Sequence, residues 1–460
     1  MIGLVELQSA ADQLSAAREG LNTPFAQRLM GIVGIAVMIA IAWALSSDRR
    51  KVNWKLIAVG VGLQATFGFI VLKTAVGRAL FNGANVVFAR LLGFTETGAQ
   101  FIFGNLVKNN VPVGIPTGSP ENMAPLTSTE MWANTGAFFA FTVLPTIIFF
   151  ASLMSVLYYL GVMQRVVKGI AWVMQRTMRT SGAESLSVAG NIFVGQTEAP
   201  LLIKPFVDRM TLSELNTVMV GGMATIAGGV MAAYVGMLSP YFPDIAGHLL
   251  TAAVMNAPAA LLISKLLVPE ASTPETQDSL AIKVERTDAN VIEAAASGAA
   301  QGLQLALNVG AMLLAFIALI SMINFGVGFA GEILGNPNLS LEMIFGWVLS
   351  PLAFLMGVPW ADADTVGSLI GVKVVVNEFV AYLQLAGTLQ GGEVLSPRGA
   401  VIATYALLGF ANFSSIAIQI GGIGGIAPRR RGDLSPLGLK AMIGGNLAAF
   451  MSASLAGMLI

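Results

Sequence analysis

Residues 190–206 read GNIFVGQTEAPLLIKPF and set Gln196, Thr197 and Glu198 side by side in a strongly apolar chain. An amide that donates and accepts, a hydroxyl, and a carboxylate that only accepts suit a flat ring with alternating C=O and N–H groups. A second set lies far along the chain, with Glu378 in GVKVVVNEFVAY (371–382) and Asn412 in GFANFSSI (409–416). A carboxylate that accepts from two hydroxyls, with an amide beside it, suits a vicinal diol. Among polar solutes, these residue types alone do not choose one. A third set carries no charge: Asn191, the Val194 carbonyl, the Thr225 hydroxyl and the Ile226 carbonyl would offer neutral oxygens to a hard ion such as Na+. Capping by Asn191 and a bond from Thr225 back into its own helix explain that set equally well from spacing alone.

The elements that must position these groups are membrane spans. The chain has 460 residues, 55% of them hydrophobic and 11% charged, against about 25% charged in an ordinary globular protein. Apolar runs near 30–47, 55–73, 136–161, 213–238, 247–267, 302–328, 400–421 and 436–459 approach or exceed the roughly 20 residues that cross a bilayer core. The fold class is therefore an all-α polytopic membrane protein with eight transmembrane helices. An ionisable group at membrane depth costs at least about 2.5 kcal/mol, so Glu198 and Glu378 need a reason. A helix-packing carboxyl, protonated or paired with lysine, would explain either alone; two in matching surroundings favour a shared site.

Equal numbers of basic and acidic residues, 25 each, give no sign of a nucleic-acid partner. Without cysteine, and with His248 as the single histidine, thiol chemistry, disulfides and a histidine-rich zinc site are excluded. No nucleophile–base pair stands out, which disfavours a membrane enzyme. The 51 glycines suit close helix packing, and local unwinding where they cluster beside polar residues, as at Gly221–Gly222 and Gly228–Gly229.

Orientation follows from the positive-inside rule. SSDRRKVNWK after the first span reads cytoplasmic, which places the N-terminus outside and the polar stretch 107–132 outside. MQRVVKGIAWVMQRTMR is basic and amphipathic, as expected of a helix on the cytoplasmic interface. Residues 183–206 are too short and polar for a comfortable span, and a re-entrant hairpin entering from the cytoplasm keeps Lys204 and Arg209 on the favoured side. Keeping Arg429, Arg430 and Arg431 cytoplasmic requires that 355–384 also turn back, this time from outside. Two opposed hairpins, each followed by two spans, form an inverted repeat with broken helices, the pattern of secondary transporters with a mid-membrane site. A gated channel would need a continuous polar path, which facing hairpin tips disfavour.

GQTEAP, GVKVVVNEFVAY and GFANFSSI, in this order, closely resemble signatures of the concentrative nucleoside transporters, and the resemblance runs from about residue 30 to the end. It implies a homotrimer in the bacterial inner membrane, and the orientation read above places both termini outside. Residues 1–29 would be an external lead, 30–162 the first three scaffold spans and 163–182 a cytoplasmic interfacial helix. Residues 183–270 would hold the first hairpin and two spans of a transport part, and 271–300 a cytoplasmic connector. A scaffold span with an external interfacial segment would occupy 301–350, and the second hairpin with two spans 351–460. By position within the motifs, Gly195, Gln196, Thr197, Glu198 and Val230 would meet a nucleobase. Glu378, Asn412 and Ser415 would meet the ribose, with Phe410 lining the pocket. Asn191, Val194, Thr225 and Ile226 match the family's sodium ligands, so the implied activity is sodium-driven nucleoside uptake, with uridine-like substrates preferred. Their retention argues against the alternative, proton coupling.

Overall fold

The computed structural model describes residues 23–108, 110–112, 132–134, 139–277, 288–333, 335–391 and 395–460. Most of the expected lead 1–29, most of the polar stretch 107–132 and residues 278–287 of the expected connector lie outside the described residues. Helices α1 (Phe25–Ala44), α2 (Trp54–Lys73) and α3 (Ala75–Phe103) come first. A short antiparallel ladder, β1 (Asn110–Pro112) with β2 (Trp132–Asn134), pairs Val111 with Ala133. Helices α4 (Leu144–Tyr159) and α5 (Val162–Met178) follow. On α5, Met163, Val167, Ala171, Met174 and Met178 form one buried stripe at helical spacing.

Two series of the same pattern come next. The first is α6 (Gly182–Gly190), a turn, α7 (Lys204–Val207), α8 (Leu212–Ala224), α9 (Gly228–Leu238) and α10 (Ile245–Leu267). After α11 (Val291–Ile333) and α12 (Leu341–Leu355), the second is α13 (Trp360–Val375), α14 (Glu378–Gln390), α15 (Pro397–Leu407), α16 (Phe413–Ile426) and α17 (Arg431–Leu459). In each series a hairpin is followed by an interrupted helix and then by a through-going one. At about 1.5 Å per residue, the 9 residues of α6 span a little under half of a bilayer core of about 30 Å. The chain there turns back. These are the two re-entrant hairpins of the inverted repeat.

Local chemistry fixes where the helices start and stop. Ser181 and Glu184 form a capping box at α6, and Thr211 with Glu214 form another at α8. Helix α8 stops because Thr225 is extended (φ −125°, ψ 176°), and α9 restarts after an equally extended Ala227. Asn377 caps α14 and Asn412 caps α16, each accepting a backbone N–H through its side chain.

Among the described residues eight helical segments are long and apolar enough to cross a membrane. Seven coincide with expected spans, and the eighth differs. The expected 400–421 span is interrupted between Leu407 and Phe413, where Gly409 takes φ +123°, open chiefly to glycine. Ala75–Val107 passes on length and composition instead, while the expected span is present as the interrupted pair α15 and α16, the counterpart of α8 and α9. Even the most apolar stretch of Ala75–Val107 reaches a mean hydropathy of only 1.2, and Arg78, Arg90 and Glu96 are spread along it, which hid it among the clearer runs.

Burial divides the segments. In the most apolar windows of Leu212–Leu238 and Ile245–Leu267, 89% of residues are buried, against 11% in Ala75–Val107 and Val291–Ile333. The interrupted helices form the centre of the body, while α3 and α11 lie on its periphery.

Candidate functional site

At the first hairpin, the chain after α6 closes one turn, with Glu198 N and Ala199 N both donating to the Gly195 carbonyl (3.2 and 3.1 Å). Glu198 is exposed, accepts from the Thr197 hydroxyl at 3.0 Å and curls back over Gly195. A Cβ at Gly195 would lie 2.2 Å from the Glu198 Oε2, so only glycine leaves that carboxylate its place. Gln196 points the other way, into the body. Its Nε2 donates to Ser415 Oγ at 3.2 Å, and its Oε1 accepts from Gln419 Nε2 at 3.0 Å. Gln419 Nε2 also donates to the Met219 carbonyl at 3.0 Å. A carbonyl can only accept, so this contact fixes Gln419, which in turn fixes which end of the Gln196 amide faces which partner.

At the second hairpin, Glu378 opens α14 and is 5% exposed. Its carboxylate accepts from the Tyr234 hydroxyl at 3.2 Å and from Asn412 Nδ2 at 2.9 Å. The Asn412 Oδ1 accepts from Ser415 N at 2.9 Å and from the Ser414 hydroxyl at 2.7 Å. The N-termini of α14 and α16 thus meet at this carboxylate, and their partial positive charge favours an anion there. Val230 lies in the first turn of α9, one turn before Tyr234 on the same face, and is buried. Phe410 is half-buried, and its backbone N–H donates to the Thr225 carbonyl at 3.3 Å.

The uncharged set lies where the first hairpin meets the break of α8 and α9, fastened there by Gly228 N donating to the Phe193 carbonyl at 2.9 Å. The capping roles open to these residues are both present: Asn191 Nδ2 donates to Ser187 O at 3.1 Å, and Thr225 Oγ1 to Gly221 O at 3.0 Å. They do not exhaust the acceptors. Asn191 Oδ1 is buried with no hydrogen-bond partner. Among the described residues, no hydrogen bond reaches the Val194 or Ile226 carbonyl either. A buried acceptor left open, as Asn191 Oδ1 is, is costly, and neutral oxygens of this kind fit a hard monovalent cation.

The structure therefore joins Gln196, Ser415, Asn412 and Glu378 through one chain of residues across both repeats, with Asn191, Val194, Thr225 and Ile226 around a neighbouring contact. Glu198 and Thr197 stand at the exposed edge of the tip. Sequence reasoning missed Tyr234 and Gln419. Gln419 was findable, because Asn412, Ser415 and Gln419 recur at helical spacing on one face of α16. Tyr234 is an aromatic in an apolar span, which pattern alone does not separate from core.

Opposed hairpins, helices broken beside buried polar groups and a central site define a secondary membrane transporter. The chain belongs to the Na+ dependent nucleoside transporter family. The family's N-terminal model matches residues 33–106, a nucleoside-recognition gate model residues 140–241 and the C-terminal model residues 248–457. An uncharacterized transporter of Haemophilus influenzae is 43% identical over 94% of this chain and 98% of its own. Sodium/nucleoside cotransporter 1 of Mus musculus is 41% identical over 94% of this chain, which spans 64% of the mouse protein. Among solved structures, CNTnw in an inward-facing substrate-bound state is 44% identical and superposes with a TM-score of 0.83 over 94% of this chain and 97% of its own. A variant of CNTnw in an outward-facing state superposes with a TM-score of 0.82.

Proposed function

We propose that this chain is a symporter that imports nucleosides of the uridine type across the bacterial inner membrane, driven by the sodium gradient. The observation that carries the reading is the continuous set of hydrogen bonds from Gln196 on the first hairpin through Ser415 and Asn412 to Glu378 on the second. It puts a donor–acceptor amide and a diol-binding carboxylate in one site. Gly195, Gln196, Thr197, Glu198 and Val230 meet the base. Glu378, Asn412 and Ser415 meet the ribose, and Phe410 lines the pocket between them.

Sodium is cargo, held by Asn191, Thr225 and the carbonyls of Val194 and Ile226. Its entry is worth about 2.3 kcal/mol per 100 mV, and a tenfold gradient adds roughly 1.4 kcal/mol. With one ion per substrate these assumed gradients support about a 500-fold accumulation of solute. CNTnw has been solved facing inward and outward, and we assign the same alternation here. The transport part, 183–270 and 351–460, carries the site past a scaffold of 30–162 and 301–350, and three copies assemble in the bilayer. Both termini lie outside. In this arrangement α3 runs along the outer interface, because a further crossing would place Arg176, Arg179 and the run Arg429–Arg431 outside, against the positive-inside rule.

The test is radiolabelled uridine uptake into proteoliposomes under an inward sodium gradient or an inward proton gradient at equal membrane potential. Sodium-driven uptake, with a raised sodium requirement in Asn191→Ala, is the expected result. Uptake driven by protons alone would discard the ion site and leave the proton-coupled reading. No uptake under either gradient would discard the substrate.

A further inference from the structure

Lys373 has no place in the site described above, yet its side chain is completely buried. A buried ammonium is costly unless something negative faces it. Helix ends supply part of that potential. Lys373 lies in the last turn of α13, and its Nζ donates at 2.8 Å to the Ala406 carbonyl in the last turn of α15. The C-terminal end of a helix carries partial negative charge. The Phe450 ring of α17 adds its face, with its centre 5.5 Å from the Nζ. Among the described residues none of the ion pairs includes Lys373. The full negative charge that acts on it comes from beyond contact distance, from Glu378.

The tip of the second hairpin thus sets a cation at the C-terminal end of α13 and, five positions on, an anion in the first turn of α14. Each charge lies at the helix end that suits it, and each suits the other, since attraction reaches further where little water screens it. The neighbours that face the carboxylate bring no competing charge. Tyr234 on α9 and Tyr382 on α14 are phenols, uncharged at neutral pH. Tyr234 donates to Glu378, and Tyr382 donates to the Thr404 carbonyl at 2.7 Å. Helix α16 faces the carboxylate with the Asn412 amide. Beside Ala406, Tyr405 on α15 turns its hydroxyl to His248 of α10, at 3.3 Å. Lys373 is the cation whose charge acts on Glu378.

The charge state of Glu378 decides what it can hold. An ionised carboxylate offers about four acceptor positions, and protonation turns one of them into a donor. Tyr234 and Asn412 occupy two. About two remain on the ionised group, one for each hydroxyl of a vicinal diol. A protonated Glu378 is one acceptor short and meets one of those hydroxyls with a donor of its own.

We propose that Lys373 is a positioning residue for the ribose: without touching the substrate, its charge holds the Glu378 carboxylate ionised, so that both ribose hydroxyls can donate to it. The inference rests on the nucleoside site proposed above and deepens it.

The test measures equilibrium binding of radiolabelled uridine, and of its 2′,3′-dideoxy analogue, to the purified full-length protein in saturating sodium chloride across pH. Loss of both hydroxyls should weaken wild-type binding roughly 100-fold at neutral pH. Lys373→Met stays close in volume and removes the charge. In that variant uridine binding should weaken at neutral pH and the preference over the dideoxy analogue should shrink. Both should return as pH rises, because Glu378 then loses its proton unaided. The acid limb of the binding curve should lie about one pH unit or more above that of the wild type. An unmoved acid limb would overturn the inference, and so would a loss that persists to alkaline pH, the mark of a packing defect. Infrared difference spectra between wild type and Glu378→Gln at neutral pH need no Lys373 variant. They should show the bands of an ionised carboxylate; the carbonyl band of a protonated acid would overturn the inference even if Lys373→Met failed to fold. Wild-type discrimination separates the inference from its foundation. No preference for uridine over the dideoxy analogue discards the ribose role of Glu378 and the inference together, whereas that preference with an unmoved acid limb in Lys373→Met discards the inference alone.

Discussion

The first repeat presents its acidic side chain at the hairpin tip, with Glu198 exposed and bonded, among the described residues, to neighbouring Thr197. The second repeat withdraws its own, with Glu378 buried and held by Tyr234 and Asn412 from two other helices. The polar groups near the breaks differ too: Asn191 Oδ1 has no partner among the described residues, whereas the Ala406 carbonyl accepts from Lys373. The repeats agree where Ser181 bonds Glu214 and Ser396 bonds Asp362 at the hairpin bases, and where Asn256 and Asn446 on the through-going helices donate to Ala224 O and Ala411 O; there they share architecture. Their differences are chemical, which is how one pattern, used twice, can hold two ends of an asymmetric solute and an ion.

Replacing the two glutamates by alanine tests this contrast with the largest expected effects. Both Glu378→Ala and Glu198→Ala should cut uridine uptake roughly 100-fold or more, since hydrogen bonds to a charged group are each worth about 1.5–3 kcal/mol. Only Glu378→Ala should also lower the melting temperature of the substrate-free protein, because it orphans Tyr234 and Asn412. Equal melting curves for the two variants would break the distinction between a buried and a free carboxylate.

Asn191→Ala should raise the sodium concentration for half-maximal uptake about tenfold, equivalent to about 1.4 kcal/mol, while leaving the melting temperature in choline near the wild-type value. An unchanged sodium requirement would remove Asn191 from the ion site.

Gln419→Leu sharpens the comparison by cutting the link between the repeats. With Gln196 no longer held by Gln419, the KM for uridine should rise roughly fivefold, a hydrogen bond being worth about 1 kcal/mol net, and the sodium requirement should stay put. A changed maximal rate with unaltered KM would mean that Gln419 acts on folding or motion, not on the orientation of Gln196.

At Gly409 the expected effect is on stability and not on transport constants, because a side chain must be accommodated at φ +123° and a Cβ would lie 2.6 Å from the Met223 carbonyl. Gly409→Ala should cost about 1–3 kcal/mol, read as a melting shift of a few degrees by light scattering. No shift would show that the crossing of the two breaks tolerates relaxation.

Much of this organisation was legible in the chain. Short polar motifs inside apolar runs located both hairpins, because a buried Glu or Asn in lipid demands a partner and a broken backbone demands satisfaction. Helix α3 was not, since Arg78, Arg90 and Glu96 dilute its hydropathy. The break in the expected 400–421 span was half-visible in the Gly-rich, polar GFANFSSI. The helix ends at an extended Leu408, followed by Gly409 at positive φ and by Asn412 as the next cap, and spacing does not reveal these conformations. In the site, residue types suggested acceptors and donors but not which way each amide faces. That depends on Met219, whose backbone carbonyl has no signature in a sequence.

The bond from Phe410 N to the Thr225 carbonyl joins the two interrupted helices at their weakest points, and Asn256 and Asn446 moor each break to a through-going neighbour. Such a centre resists being pried open, because parting it would strand several backbone groups at once in a medium without water. Its cargo space is therefore built as a sealed cabin and not as a pair of jaws. The compliance that transport requires belongs to the cabin's outer walls and to the rails along which it runs.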